Sequence, residues 1–258
     1  MRRLNHQQKL YFRNELRDAR AVALQDAEAF DEIVHVLERM GAFLRGVKKD
    51  FGNLGKFRDP INTEARQSPL AEQISSKLPD VHLSFSDLYE LVRDGRNKAM
   101  HDGSFARHLT FRAVELSIIL EHALMTDSNR AKHFMVENPI CAALWQPLSF
   151  IRQSMLKNSF SYLPVLVPQN DKQRWQLISD LSVAQYLQTV RGENLTKRLT
   201  QTLGEAIETK GIELSKTRIC KPDDLVVDVL KSWNGMPVLI QSRHPDDLLG
   251  ILTPFDLL

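Results

Sequence analysis

The chain has little of what usually marks a specialised class of protein. Only two of its 258 residues are cysteine, Cys141 and Cys220, too few for a disulfide framework or a cysteine-rich zinc site. Long hydrophobic runs are missing as well. The most apolar helical stretch, VELSIILEHAL, falls well short of the roughly 20 residues that span a bilayer. The N-terminus, MRRLNHQQKLYFRNELRDAR, lacks the apolar centre of a signal peptide, so a cytoplasmic location without a membrane partner is expected. Neither sign of charge prevails: 34 basic residues face 32 acidic ones, for a net charge of +2. Split at residue 130, the first part holds 20 basic and 19 acidic residues and the second 14 and 13. That balance excludes a histone-like arm or a general cationic coat, though not a local basic patch. His35, His82, His108, His122 and His133 show no metal-ligand spacing with a nearby carboxylate or cysteine, so no metal site is expected.

What is present is ordinary globular material, 43% hydrophobic and 26% charged, enough to bury a core. Its two parts follow different rhythms. Residues 1–127 repeat apolar positions at helical spacing, as in Leu10, Leu16, Ala19 and Ala23, then Ile33, Val34, Leu37 and Leu44. The periodicity predicts helices over 7–24, 27–47, 70–78, 85–100 and 109–126, and hence an all-α bundle. Residues 50–69, with two glycines and two prolines, read as a long loop. The basic stretch Arg45, Lys48, Lys49, Lys56 and Arg58, with Phe51 and Phe57, could grip RNA or simply be solvated.

After a polar hinge near 127–138, short apolar strands alternate with amphipathic stretches. YLPVLVP and WQLIS form one strand pair, MPVLI and LLGILT another, each preceded by a helical pattern. Pro164 to Ser179 is 15 residues and Pro237 to Thr253 is 16, so one unit occurs twice at an offset of about 73 residues. The second copy, PVLIQSRHPDDLLGILTPFDLL, resembles a CBS domain, and residues 136–258 as a whole resemble the tandem CBS pair. The repeats would occupy about 136–190 and 212–258. The resemblance implies clefts for an adenine nucleotide (ATP, ADP or AMP) as a regulatory ligand. Thr253 and Asp256 would stand at the ribose and phosphate, and Gly250 would let the backbone approach the ligand. From the residues alone, Thr253 can equally be a helix cap and Asp256 a solvated acid. The first copy carries Ser179-Asp180-Leu181-Ser182 at the matching place, with serine for the aspartate, so at most one ordinary ribose site is expected.

In the helical part, Arg96-Asn97-Lys98-Ala99-Met100-His101 is an arginine followed by four residues and a histidine. With 20 arginines and 8 histidines in the chain, about two pairs separated by four to six intervening residues arise by chance. The added context is an asparagine after the arginine, the end of one amphipathic helix and the start of an apolar one. With that context the segment resembles the HEPN ribonucleases, loosely over 1–127 and closely over 85–126. The resemblance implies an endoribonuclease that needs no cofactor for catalysis, acts as a homodimer with RNA as substrate, and serves as a stress or anti-phage toxin. His101 would accept the proton of the RNA 2′-hydroxyl. Arg96 would stabilise charge on the phosphate, and Asn97 would orient the site.

On one straight helix Arg96 and His101 would lie about 140° apart, so the helix must end between them or a second subunit must complete the site. The alternatives are that Arg96 pairs with Asp94, Glu90 or Asp102, and that His101 caps a helix. The fold class expected is α+β, an all-α HEPN-like bundle at 1–127 followed by an α/β CBS pair at 136–258. The competing function is a catalytically inactive nucleotide-sensing adaptor that binds a partner protein.

Overall fold

A computed structural model describes residues 2–47, 54–99, 103–169, 172–188, 191–244 and 246–258. It divides into two compact units, Met1–Ser128 and Asn129–Leu258.

The first unit is helical. Helix α1 (His6–Gln25) opens on a capping box, in which Asn5 Oδ1 accepts from the Gln8 amide at 2.9 Å and Gln8 Oε1 accepts from the Asn5 amide. Two of the four orphan amides of a helix start are thereby involved in reciprocal bonding. The helix buries Phe12, Leu16, Ala19 and Ala23, one stripe at 3.6-residue spacing. Helix α2 (Asp31–Arg45) starts with Asp31 and Glu32 and stops at Gly46, whose φ of 70° is left-handed.

The stretch expected as a loop is in fact helix from Leu54: α3 spans Leu54–Ala65 with Pro60 inside. A proline cannot donate to the carbonyl four residues back. Here that carbonyl, of Lys56, accepts from Arg45 Nη1 at 3.1 Å instead. Phe57 is fully buried against α2, where a Cβ on Gly41 would lie 2.4 Å from it. Phe57 is therefore part of the core, while Arg45 remains at the surface with Nη1 on the Lys56 carbonyl. The short α4 (Gln73–Lys77), then α5 (Phe85–Ala99) and α6 (Gly103–Met125), complete the unit. Helix α5 buries Phe85, Leu88, Tyr89 and Val92, and α5 and α6 pack against each other. Arg20 of α1 holds Glu121 of α6 through two bonds of 2.8 and 3.0 Å.

The second unit mixes helix and strand. Its elements are α7 (Ala131–Phe134), β1 (Val136–Glu137), α8 (Leu148–Asn158), β2 (Tyr162–Gln169), β3 (Lys172–Ser179), α9 (Asp180–Gln188), α10 (Glu193–Thr200), α11 (Leu203–Glu208), β4 (Ile219–Cys220), α12 (Val226–Lys231), β5 (Val238–Gln241) and β6 (Leu248–Leu252). A single 3-10 turn, Pro254–Leu257, ends the chain. The hinge expected at 127–138 contains α7 and β1.

The repeat read from the sequence is visible in the pairing. In one copy β2 pairs antiparallel with β3, and Ala142 bridges Val165 in parallel. In the other β5 pairs antiparallel with β6 and parallel with β4. Leu163 pairs with Ile178 and Val238 with Leu252, which makes Leu163 the counterpart of Val238. The middle-strand offset is thus 75 residues, and Pro164 and Pro237 are not equivalent. The free edge of each last strand is taken by the segment that precedes the other copy: Val136–Glu137 pairs with β6, and Ser215 bridges Leu177 of β3. One sheet face packs Leu163, Val165 and Ile178 on α8 and α9. Val238, Ile240 and Leu252 pack likewise with Val229 and Ala131. Leu177 and Leu239, on the opposite strand faces, are also completely buried. Burial on both faces explains why these strands read as unbroken apolar runs.

Candidate functional site

In the helical unit Arg96 occupies the last turns of α5, and its charge is met by a carboxylate distant in sequence. Arg96 Nη1 donates to Glu38 Oε1 of α2 at 2.7 Å. The Glu38 side chain is 1% exposed and that of Arg96 25%. The nearer acids are engaged elsewhere. Glu90 holds Arg58 at 2.8 Å and also meets Arg93, and Asp94 holds Arg93 at 2.8 Å. Arg58 Nη2 also donates to Ser86 Oγ at 2.9 Å. Of the local partners considered for Arg96, Glu90 and Asp94 are thus occupied by other arginines, and Asp102 lies outside the described residues.

Glu38 is the residue that sequence reading missed. Its signal was available: it occupies a position of α2 where Val34, Leu37 and Gly41 mark the buried face, so the helical period calls for an apolar side chain there. Beneath α5, Tyr89 donates to the Leu54 carbonyl at 2.7 Å. Burial, reinforced by the nearby charge of Glu90, pushes its phenol well above the ordinary range. Asn97 belongs to α5, but its side chain, like His101 and Asp102 altogether, lies outside the described residues. The sequence between α5 and α6 is Met100-His101-Asp102.

In the second unit Thr253 and Asp256 are brought together, and they bind each other. Asp256 Oδ2 accepts from both the Thr253 amide and Thr253 Oγ1 at 2.7 Å, and the Asp256 amide returns a bond to the threonine side chain. This capping box closes the terminal turn. Gly250 does admit a close approach, but by the protein itself. A Cβ there would come 2.5 Å from Met135 Sδ and 2.9 Å from the Val136 carbonyl, so the space reserved for a ligand at Gly250 is filled by the strand that pairs with β6. In the first repeat the equivalent turn is closed by serine: Ser179 Oγ accepts from the Ser182 amide at 3.0 Å, and Ser182 Oγ donates to the Ser179 carbonyl at 2.8 Å. No carboxylate stands at the place of Asp256 there.

Among the described residues no group of three or more His, Cys, Asp or Glu side chains could hold a metal ion, and no helix is long and apolar enough to cross a membrane.

No family model matches the chain, and no curated protein matches it. Among solved structures, a CBS domain-containing protein of unknown function from Bacillus anthracis is similar at 18% identity over 50% of this chain and 90% of its own, with a TM-score of 0.38. CbpB in complex with c-di-AMP matches at 14% identity over 50% of this chain and 81% of its own, with a TM-score of 0.37. CBSX2 in complex with AMP matches at 12% identity over 50% and 93%, with a TM-score of 0.36. The structures similar to this chain are thus CBS domain proteins.

Proposed function

We propose that the chain is a metal-independent endoribonuclease whose N-terminal unit is a HEPN-like bundle and whose C-terminal unit is a tandem CBS pair that responds to an adenine nucleotide. The observation that carries the catalytic part is the guanidinium of Arg96. It is fixed near the end of α5 by a buried carboxylate, five residues ahead of His101 in the sequence. A guanidinium carries five N–H donors, and the bond to Glu38 uses one. In this reading the others meet a phosphodiester, and Arg96 stabilises the charge that builds on its oxygens in the transition state. His101 takes the proton of the 2′-hydroxyl, whose oxygen attacks phosphorus, and the 5′-oxygen leaves with a proton from a second acid. In a homodimer the partner's copy of the motif supplies that acid. The products carry a 2′,3′-cyclic phosphate and a free 5′-hydroxyl. The activity fits a toxin, whose expression would arrest growth only while His101 is intact.

The reciprocal exchange of strand edges and the Thr253-x-x-Asp256 turn support the regulatory part. Nucleotide binding there acts on cleavage through unequal affinity for two arrangements of the protein. The test is cleavage of a labelled single-stranded RNA by the full chain and by His101→Ala, with and without ATP, ADP or AMP. Loss of cutting in the variant, with the fold intact, is expected.

Two observations favour a second reading. The Arg96–Glu38 pair also serves as a plain tie between α5 and α2, and Thr253 and Asp256 satisfy one another. A catalytically silent adaptor would have both features. It would bind nucleotide or a partner protein and leave RNA uncut.

A further inference from the structure

We infer that Glu38 is a positioning residue for catalysis: its buried carboxylate sets where the Arg96 guanidinium stands relative to the scissile phosphate. The inference rests on the ribonuclease reading above and adds a residue to it. Three observations carry it. The carboxylate is withdrawn from water, 1% exposed, while its partner keeps 25% of its side chain at the surface. The pair joins residues 58 apart in sequence on α2 and α5 with a 2.7 Å charge-assisted bond. Glu38 also sits on the face of α2 that otherwise holds Val34, Leu37, Gly41 and Leu44.

As a stabilising device this is a poor choice. Desolvating two charges costs about as much as their attraction returns, and apolar side chains of the same volume would hold the helices as well or better. What an apolar pair could not do is fix the direction of a guanidinium. A long side chain near a helix end has several rotamers, and a transition-state donor misplaced by about 1 Å can lose on the order of a hundredfold in rate. The carboxylate selects one rotamer before substrate arrives.

The experiment uses the full chain and a fluorophore-labelled single-stranded RNA of mixed sequence. Glu38→Gln keeps an acceptor of the same shape and removes the charge. It should lower kcat at least tenfold while KM moves less than twofold, the pattern of an interaction realised in the transition state. A tie that only stabilised the bundle would shift the melting temperature and leave kcat of the folded fraction alone. The second arm is chemical rescue. Low-millimolar guanidinium should restore cutting to Arg96→Ala, because Glu38 still offers it a seat, and should fail in the Glu38→Gln/Arg96→Ala double variant. Glu38→Gln cutting at the wild-type rate, or equal rescue of the single and double variants, overturns the inference while the ribonuclease reading stands. If His101→Ala cuts RNA as well as wild type does, the ribonuclease reading itself fails and takes this role with it.

Discussion

At the scale of single residues, burial decides what each charge does. Glu38 is the most consequential case. Arg96→Ala would leave it inside the bundle without its arginine, and breaking such a pair from one side costs about 3 kcal/mol. Glu38→Leu/Arg96→Leu should recover most of that loss, because neither charge is then desolvated. Urea denaturation of both variants checks this, and a double variant as unstable as Arg96→Ala would contradict it. For the same reason Arg96→Ala alone is an ambiguous catalytic test.

Two carboxylates give opposite pH signatures. Burial raises the pKa of Glu64, against the pull of Lys9 and Arg3, so its ionised form is a cost to the folded state. The stability it adds is full below the ordinary carboxylate range and is lost as pH rises through the raised value. Asp127, hydrogen-bonded to Lys9 at 2.7 Å, is held below the usual range by that lysine. Its contribution is present above that range and is lost as pH falls through the lowered value. Glu64→Gln should therefore raise the urea midpoint at neutral pH, and Asp127→Asn should lower it. Both differences should vanish in acid, and a difference that ignores pH would refute the assignment.

At the scale of elements, close approaches and caps matter more than propensity. A methyl group at Gly41 would stand 2.4 Å from Phe57, between two packed helices. Gly41→Ala should cost about 2 kcal/mol by overpacking, despite the better helix propensity of alanine. An unchanged melting temperature would show that α2 and α3 can separate freely. The terminal turn makes the complementary case. Asp256→Ala removes the cap and should cost about 1 kcal/mol whether or not a ligand binds, so loss of nucleotide binding is better tested with Asp256→Asn.

Elements with strong periodicity were legible from sequence. The helices α1, α2 and α5 and the four central strands all followed from pattern. Helix α3 was not, because Pro60 and the glycines around it read as loop punctuation, and the remote Arg45 that satisfies the freed carbonyl cannot be seen locally. The partner of Arg96 was hidden for the same reason: local spacing offered Glu90 and Asp94, while folding delivered a glutamate from 58 residues away.

At the scale of the whole molecule, the chain consists of a helical unit and a unit built twice from one pattern. The duplication was legible as a repeat. The exchange of edges between its copies was not, because β1 is only two residues long and Ser215 forms an isolated bridge. The two copies are unequal, since only the second ends on a threonine–aspartate box. At most one adenine nucleotide per chain is therefore expected. At a hundred times its dissociation constant it should stabilise the protein by about 2.7 kcal/mol, and that gain should fall in Asp256→Asn. Isothermal titration giving two equal sites would contradict this asymmetry. The central claim concerns the RNA bond. Its most direct test is to incubate the full chain, free of added metal, with an end-labelled single-stranded RNA and to identify the new ends. Fragments bearing 2′,3′-cyclic phosphate and 5′-hydroxyl are expected from the wild type and should be absent with His101→Ala. Intact RNA with both proteins, or identical fragments from both, would contradict it.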